Sequence, residues 1–175
     1  DIFPNRMFRN AKGKSFQDVT TSGGFGHLQK GHGVAFGDID NDGDQDVYAV
    51  MGGAYTGDRF FNALFANPGH GNNWIKLKLV GRTSNRSAIG ARLKLVVESG
   101  GSERVIHRVV GSGGSFGSNP LRQEIGLGSA DSVRKLEISW PASSERQIFE
   151  NLTSNRTYTL TEGSSEPLSR ASSKQ

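Results

Sequence analysis

The strongest chemical signal in the sequence is an acidic loop, residues 38–46, with the pattern D-x-D-x-D-G-x-x-D. Its aspartates are Asp38, Asp40, Asp42, Asp44 and Asp46. Hard cations such as Ca²⁺ bind about six to eight oxygen atoms, and alternate residues of a tight loop can direct their carboxylates to one point. We therefore predict one Ca²⁺ site. The fourth aspartate would contribute its backbone carbonyl, after a turn at Gly43, and the other four would contribute carboxylates.

Three other interpretations of the acidic loop are weaker. An EF-hand needs flanking helices and a Glu at its twelfth position, but this chain has Ala49 there and short apolar runs at 34–36 and 47–50 that are typical of strands. A solvated turn is disfavoured because closely spaced carboxylates repel one another unless they bind something. Catalysis by paired carboxylates is disfavoured because no Glu or His adjoins the loop to act as the acid.

The elements that position this loop are predicted to be strands. Turn-forming residues are concentrated at 67–73, which indicates a domain boundary. Beyond it, apolar and polar residues alternate with a period of two, which is typical of strands with one buried face. In residues 74–80 the apolar face is Ile75, Leu77 and Leu79, and the opposite face is Trp74, Lys76 and Lys78.

We therefore predict an all-β chain in three parts. Residues 1–71 form a propeller-type calcium-binding blade, residues 72–163 form an antiparallel β-sandwich-like domain, and residues 164–175 are a Ser-rich tail without periodicity. Residues 5–10 resemble residues 62–67, which lie 57 positions further along, and this spacing is in the range of propeller-blade repeats.

A single blade leaves apolar faces in water, so we expect its aromatic side chains to be covered. The cover would come from the second domain, from another copy of the chain in a homodimer, or from a longer parent chain. The side chains concerned are Phe8, Phe16, Phe36, Phe60, Phe61 and Phe65.

Composition excludes several other classes of protein. The 175 residues include no cysteine, which excludes disulfide scaffolds and thiolate metal sites. The net charge is +4, but Lys and Arg are scattered singly, so we predict no nucleic-acid partner. Apolar runs are too short to span a bilayer, so we predict no membrane insertion.

Arg86 is a weaker candidate, for a ligand contact. Its guanidinium can donate hydrogen bonds to an anion or a sugar. The favoured alternative is that residues 84–87 form a turn leading into the strand at 91–98 and that Arg86 braces a neighbouring loop. Trp140 can likewise serve as a sugar platform, but a tryptophan at the end of a strand is more often part of the core.

Two segments resemble known families. Residues 36–47, preceded by Phe8-Arg9-Asn10 and by residues 16–20, resemble an FG-GAP/VCBS repeat, a calcium-binding propeller blade. Trp74 and the segments 84–91, 125–128 and 138–141 are similar to the ASPIC/UnbV domain, which typically follows FG-GAP repeats in secreted or surface proteins.

The resemblance implies calcium binding and interaction with a protein or glycan at an extracellular, cell-surface or periplasmic location. It implies no defined reaction. We therefore expect a non-catalytic calcium-binding adhesion or interaction module. Two alternatives stay open: a carbohydrate-binding accessory piece of a polysaccharide-processing enzyme, and a structural C-terminal cap of a larger propeller.

Overall fold

The fold is all-β, as predicted. The computed structural model describes residues 3–11, 13–28, 30–53, 55–57, 59–113, 116–143 and 146–171. No helix long and apolar enough to cross a membrane occurs in these ranges. The strands are β1 (Phe8–Ala11), β2 (Ser15–Asp18), β3 (Gly31–Gly37), β4 (Asp46–Met51), β5 (Ala63–Phe65), β6 (Asn73–Val80), β7 (Arg92–Ser99), β8 (Ser102–Val109), β9 (Gln123–Gly128), β10 (Ser132–Ser139), β11 (Arg146–Thr153), β12 (Arg156–Thr161) and β13 (Leu168–Ala171).

The second half of the chain contains two four-stranded sheets. One has the strand order β11-β10-β7-β8 and the other β13-β12-β6-β9. The alternation in the sequence produces this arrangement, because side chains such as Leu77 of β6 and Leu95 of β7 are fully buried in one apolar core. Trp140 belongs to the same core, in agreement with its structural interpretation.

The pairing of β12 with β6 departs from an antiparallel arrangement. These two strands run parallel, with Arg156 opposite Ile75 and Thr161 opposite Val80. A parallel pair requires a long connection between its strands, and here the intervening chain forms β7 to β11. Alternation within each strand carries no information about this direction.

The interpretation of residues 164–175 as an unstructured tail is wrong for residues 168–171. They form β13, which pairs antiparallel with β12 and covers its outer edge. The sequence did not indicate this strand because most of its side chains are exposed and only the backbone ladder holds it. Residues 172–175 of the predicted tail lie outside the described residues.

The first part of the chain consists of a hairpin, β1-β2, and a three-stranded sheet, β3-β4-β5. Of the two similar segments of the sequence, residues 5–10 lead into β1 and residues 62–67 contain β5. Val47, Ala49 and Met51 alternate along β4 and are buried, so β4 is the central strand of a small separate core.

The second domain does not cover most of the aromatic side chains of this first part. Phe8, Phe16, Phe60 and Phe61 are exposed, and Phe61 is 98% exposed. The expectation that the adjacent domain buries them is therefore wrong for these four, whereas Phe36, on the contacting strand β3, and Phe65 are half-buried. Cover by another copy or by a longer parent chain stays a prediction.

One contact between the two parts lies along β3. The Phe36 amide donates a hydrogen bond of 2.8 Å to the side-chain oxygen of Asn119. A β-carbon at Gly33 would overlap the carbonyl of Phe116, and one at Gly117 would overlap the carbonyl of Val34. Glycine is therefore needed at both positions because the two backbones approach so closely.

Candidate metal centre

The acidic loop connects two antiparallel neighbours, β3 and β4. Asp38 follows the last residue of β3, and Asp46 is the first residue of β4. Asp38, Asp40 and Asp42 each offer one carboxylate oxygen, and these three oxygens lie within 4.8 Å of one another. The structure therefore brings together three of the predicted ligands.

Hydrogen bonds inside the loop fix this convergence. The Asp42 amide donates to Oδ1 of Asp40 over 3.2 Å, and the Asp44 amide donates to Oδ1 of Asp42 over 2.9 Å. The Gly43 amide donates to Oδ2 of Asp38 over 2.8 Å. Asp40 and Asp42 thus each bend the backbone around their own side chain, as Asx turns do, and Asp38 closes the loop through the Gly43 amide.

Asp38 carries the clearest sign of a ligand. Its side chain is fully buried, and its Oδ1 atom has no hydrogen-bond partner among the described residues. A buried carboxylate oxygen without a partner is costly, because it has lost its hydration and gained nothing in return. A hard cation held by Asp38, Asp40 and Asp42 would satisfy it, so the donor set fits Ca²⁺.

The two remaining aspartates stay predicted ligands. Asp46 uses both carboxylate oxygens on backbone amides, accepting from Ile39 and from Asn67 at 2.9 Å each. It therefore ties the start of the loop to the connector at 67–73. Burial raises the pKa of the Asp44 carboxyl, the charge of Asp42 raises it further, and His70 opposes both effects.

Two buried side chains of the second domain contact the acidic loop. Lys76 on β6 and Glu124 on β9 lie directly opposite each other. The Lys76 ammonium forms an ion pair with Oδ2 of Asp38 and lies 4.8 Å from the centre of the Trp74 ring. Glu124 accepts hydrogen bonds from the Asp38 amide at 3.1 Å and from the Gln45 side chain at 3.2 Å.

The sequence did not predict this arrangement. The alternation places Trp74 and Lys76 on the polar face of β6, opposite a single buried face, but both side chains are buried. The acidic loop covers that second face at Trp74 and Lys76, whereas Lys78 further along the strand is exposed. A tryptophan among the lysines of a supposedly solvated face was the available signal, because tryptophan side chains are highly buried on average.

A second buried carboxylate, Glu162, organises the turn at 81–84. One of its oxygens accepts the backbone amides of Arg82, Thr83 and Ser84 at 2.7, 2.9 and 2.8 Å. The other accepts the hydroxyls of Ser84 and Ser143 at 2.9 and 2.6 Å. Burial acts to raise the pKa of Glu162, but these hydrogen bonds to the ionised form outweigh it and lower the pKa to about 2.

The Arg86 side chain braces no neighbouring loop among the described residues. It is exposed, and the contribution of Arg86 there is its backbone carbonyl, which accepts the Gly81 amide at 3.2 Å. Asn85 closes the turn instead, because its side chain donates to the Ile89 carbonyl at 2.8 Å and accepts the Ile89 amide at 2.9 Å. The ligand role of Arg86 stays a prediction.

Comparison with known proteins confirms both resemblances. Residues 4–49 match the family model described as FG-GAP-like repeat, and residues 81–167 match the model described as ASPIC and UnbV. The two matches occur in the predicted order. No significant match to a curated protein was found. The acidic loop thus lies in the segment that matches the FG-GAP-like model, while Glu124 and Glu162 lie in the segment that matches the ASPIC and UnbV model.

Proposed function

We propose that this chain, an FG-GAP-like repeat followed by an ASPIC/UnbV domain, is a non-catalytic, calcium-stabilised interaction module that acts outside the cytoplasm. The observation that carries the calcium assignment is the buried Oδ1 atom of Asp38, which has no protein partner among the described residues, in a residue that belongs to the three-carboxylate cluster. The family resemblance supports the location.

Calcium fits this loop better than a transition metal does. The cluster offers carboxylate oxygens, which suit Ca²⁺ and Mg²⁺, whereas zinc and copper favour imidazole and thiolate ligands. The chain contains no cysteine. Ca²⁺ also accepts irregular coordination by backbone carbonyls, as the predicted contribution of Asp44 requires, whereas Mg²⁺ demands a near-octahedral shell.

A non-catalytic role agrees with the way in which the buried acids are used. Glu162 accepts hydrogen bonds on both carboxylate oxygens. Glu124 also accepts on both oxygens: one accepts from the Arg122 side chain and the other from the acidic loop. A general acid or base needs a proton-accepting atom that faces a substrate. These two carboxylates are instead occupied in holding turns.

The exposed aromatic side chains of the repeat support an interaction role. Phe16 is 72% exposed and Phe61 is 98% exposed, and Leu64 on β5 is exposed as well. Apolar surface is favourable to bury, so these side chains offer a partner surface to contact. The partner would be a second copy of this chain, a longer parent chain or another surface protein.

Glycan binding is a second candidate function, favoured by a groove of about 570 Å³ beside the acidic loop that is lined partly by polar side chains. Its lining includes Asn41, Asp42, His70 and Asn155. Amide and carboxylate groups of this kind form hydrogen bonds with sugar hydroxyls. A glycan array probed with and without Ca²⁺ tests this candidate, and binding to a protein array but to no glycan would remove it.

Calorimetric titration with Ca²⁺ tests the main proposal. The wild-type chain should bind one Ca²⁺, and the Asp40→Asn/Asp42→Asn double variant should lose that binding. Asp131→Asn is the matched control, since Asp131 is exposed and lies outside the cluster. The proposal fails if the wild type releases no heat and its melting temperature is the same in chelator and in excess Ca²⁺.

A further inference from the structure

We propose that Lys76 is a built-in counter-ion of the metal loop. Its ammonium neutralises Asp38 when no cation is bound and weakens the affinity for Ca²⁺ when one binds. This inference rests on the proposed calcium site and concerns its regulation by the second domain.

The position of the ammonium carries the argument. Lys76 is only 3% exposed, and its partner Asp38 is fully buried. The ion pair uses Oδ2 of Asp38, which also accepts the Gly43 amide, while Oδ1 remains without a partner. Oδ2 of Asp38 therefore faces a fixed positive charge, while Oδ1 is left without a partner among the described residues and can accept a cation.

Lys76 cannot leave this position easily. The Trp74 ring lies against its ammonium at 4.8 Å, and this cation–π contact is strengthened by the exclusion of water. The strand register holds the backbone of Lys76 opposite Glu124, which itself binds the Asp38 amide. The ammonium therefore stays beside Asp38 when a metal ion arrives.

Two electrostatic consequences follow. A Ca²⁺ ion bound to Oδ1 of Asp38 would lie close to the Lys76 ammonium, and charge repulsion at a buried site is screened far less than at the surface. Without the ammonium, Asp38 would be a buried carboxylate with no compensating charge, which is strongly unfavourable until a cation binds. Both effects make calcium bind more weakly in the presence of Lys76.

The same ion pair keeps the two domains in contact without calcium. Lys76 belongs to the sandwich and Asp38 to the repeat, so their pairing holds the acidic loop against β6. Calcium is then needed to reinforce this contact, not to create it. Such a site is suited to the millimolar calcium concentrations found outside cells.

The experiment compares Lys76→Met with Lys78→Met, a control on the same strand that removes an exposed lysine of the same charge. Calorimetry should show Ca²⁺ binding at least about tenfold tighter in K76M than in the wild type, a difference of about 1.4 kcal/mol. K78M should bind as the wild type does. K76R, which keeps the charge, should not gain affinity.

Melting temperatures provide an independent measurement. In chelator K76M should melt below the wild type, and Ca²⁺ should raise its melting temperature by more than it raises that of the wild type. A purely structural role would lower both values equally and leave the affinity unchanged, which would overturn the proposal. A K76M chain that stays unfolded at about 10 mM Ca²⁺ would also overturn it, because calcium should replace the missing charge.

The outcomes separate this inference from the proposed function. If the wild type and K78M bind calcium and K76M binds no more tightly, the counter-ion role is wrong while the calcium site stands. If the wild type shows no binding but K76M does, the counter-ion role holds and calcium is not a ligand of the natural chain. If none of them binds, both assignments fail.

Discussion

Gly43 and Trp74 lie so close together that a β-carbon at position 43 would overlap the indole ring. Gly43 has a φ of 103°, in the region that favours glycine, and it forms the turn of the acidic loop. Trp74 is the second residue of β6, in the other domain. The glycine of the metal-binding pattern therefore serves both the turn and the contact between the domains.

The first prediction concerns Gly43→Ala. We expect it to lower the free energy of unfolding by about 3 kcal/mol or more, because the methyl group adds a collision with Trp74 to the strain of a positive φ. Gly53→Ala is the matched control, with a φ of 85° and open space around the β-carbon position. It should cost only about 1–2 kcal/mol. Equal losses in urea denaturation would show that the contact with Trp74 is unimportant.

The class of the fold could be predicted from the sequence because alternation with a period of two is a local property. Strands β6 and β7 begin and end within one residue of the predicted bounds. Direction and pairing are not local. The parallel pairing of β6 with β12 and the edge strand β13 depend on where distant parts of the chain meet, so they could not be predicted from the sequence.

The candidate metal site likewise has a local part that the sequence predicted and a non-local part that it could not predict. The acidic loop is contiguous, so its spacing predicted the clustering of Asp38, Asp40 and Asp42. Lys76 and Glu124 reach the loop from strands 38 and 86 residues further along the chain than Asp38. Lys76 looked like an ordinary charged residue of a solvated strand, and no strand was predicted at Glu124, so only the docking of the loop on β6 and β9 gives these two residues a role.

The second prediction is a modest dependence of stability on calcium. Extracellular sites of this type bind at about 10⁻⁴ to 10⁻³ M, so about 1 mM Ca²⁺ should add on the order of 1 kcal/mol to the free energy of unfolding. This corresponds to a rise of about 2–4 °C in melting temperature relative to chelator. The Asp40→Asn/Asp42→Asn variant should show no rise. An equal rise in that variant would place the effect elsewhere.

The third prediction separates Arg86 from its neighbour. Arg86→Ala should change the free energy of unfolding by less than about 0.5 kcal/mol, because the guanidinium is exposed and the carbonyl that accepts from Gly81 is retained. Asn85→Ala should cost about 1–2 kcal/mol, since it removes both hydrogen bonds to Ile89. If R86A folds normally but no longer binds a partner found on an array, Arg86 is a ligand contact.

The fourth prediction concerns the loss of stability at low pH that arises from Glu162. Its pKa in the folded chain is about 2, below the ordinary value of 4.5, so the carboxylate stabilises the fold above pH 4.5. As the pH falls from 4.5 towards 2, the unfolded chain takes up the proton first and this stabilisation is lost. We expect a loss on the order of 2 kcal/mol between about pH 5 and pH 3, measured by urea denaturation.

Glu162→Gln should remove this part of the pH dependence and lower the stability at neutral pH. The amide keeps one acceptor oxygen, but its NH₂ group would face donors that the carboxylate now satisfies, either the hydroxyls of Ser84 and Ser143 or the three backbone amides of the turn. We expect a cost of about 1–3 kcal/mol near pH 7. Glu166→Gln is the control, because Glu166 is exposed and its variant should follow the wild type at every pH. If E162Q loses stability below pH 4.5 as steeply as the wild type does, the acid sensitivity arises from other carboxylates, and Glu162 does not hold the turn at 81–84 through its charge.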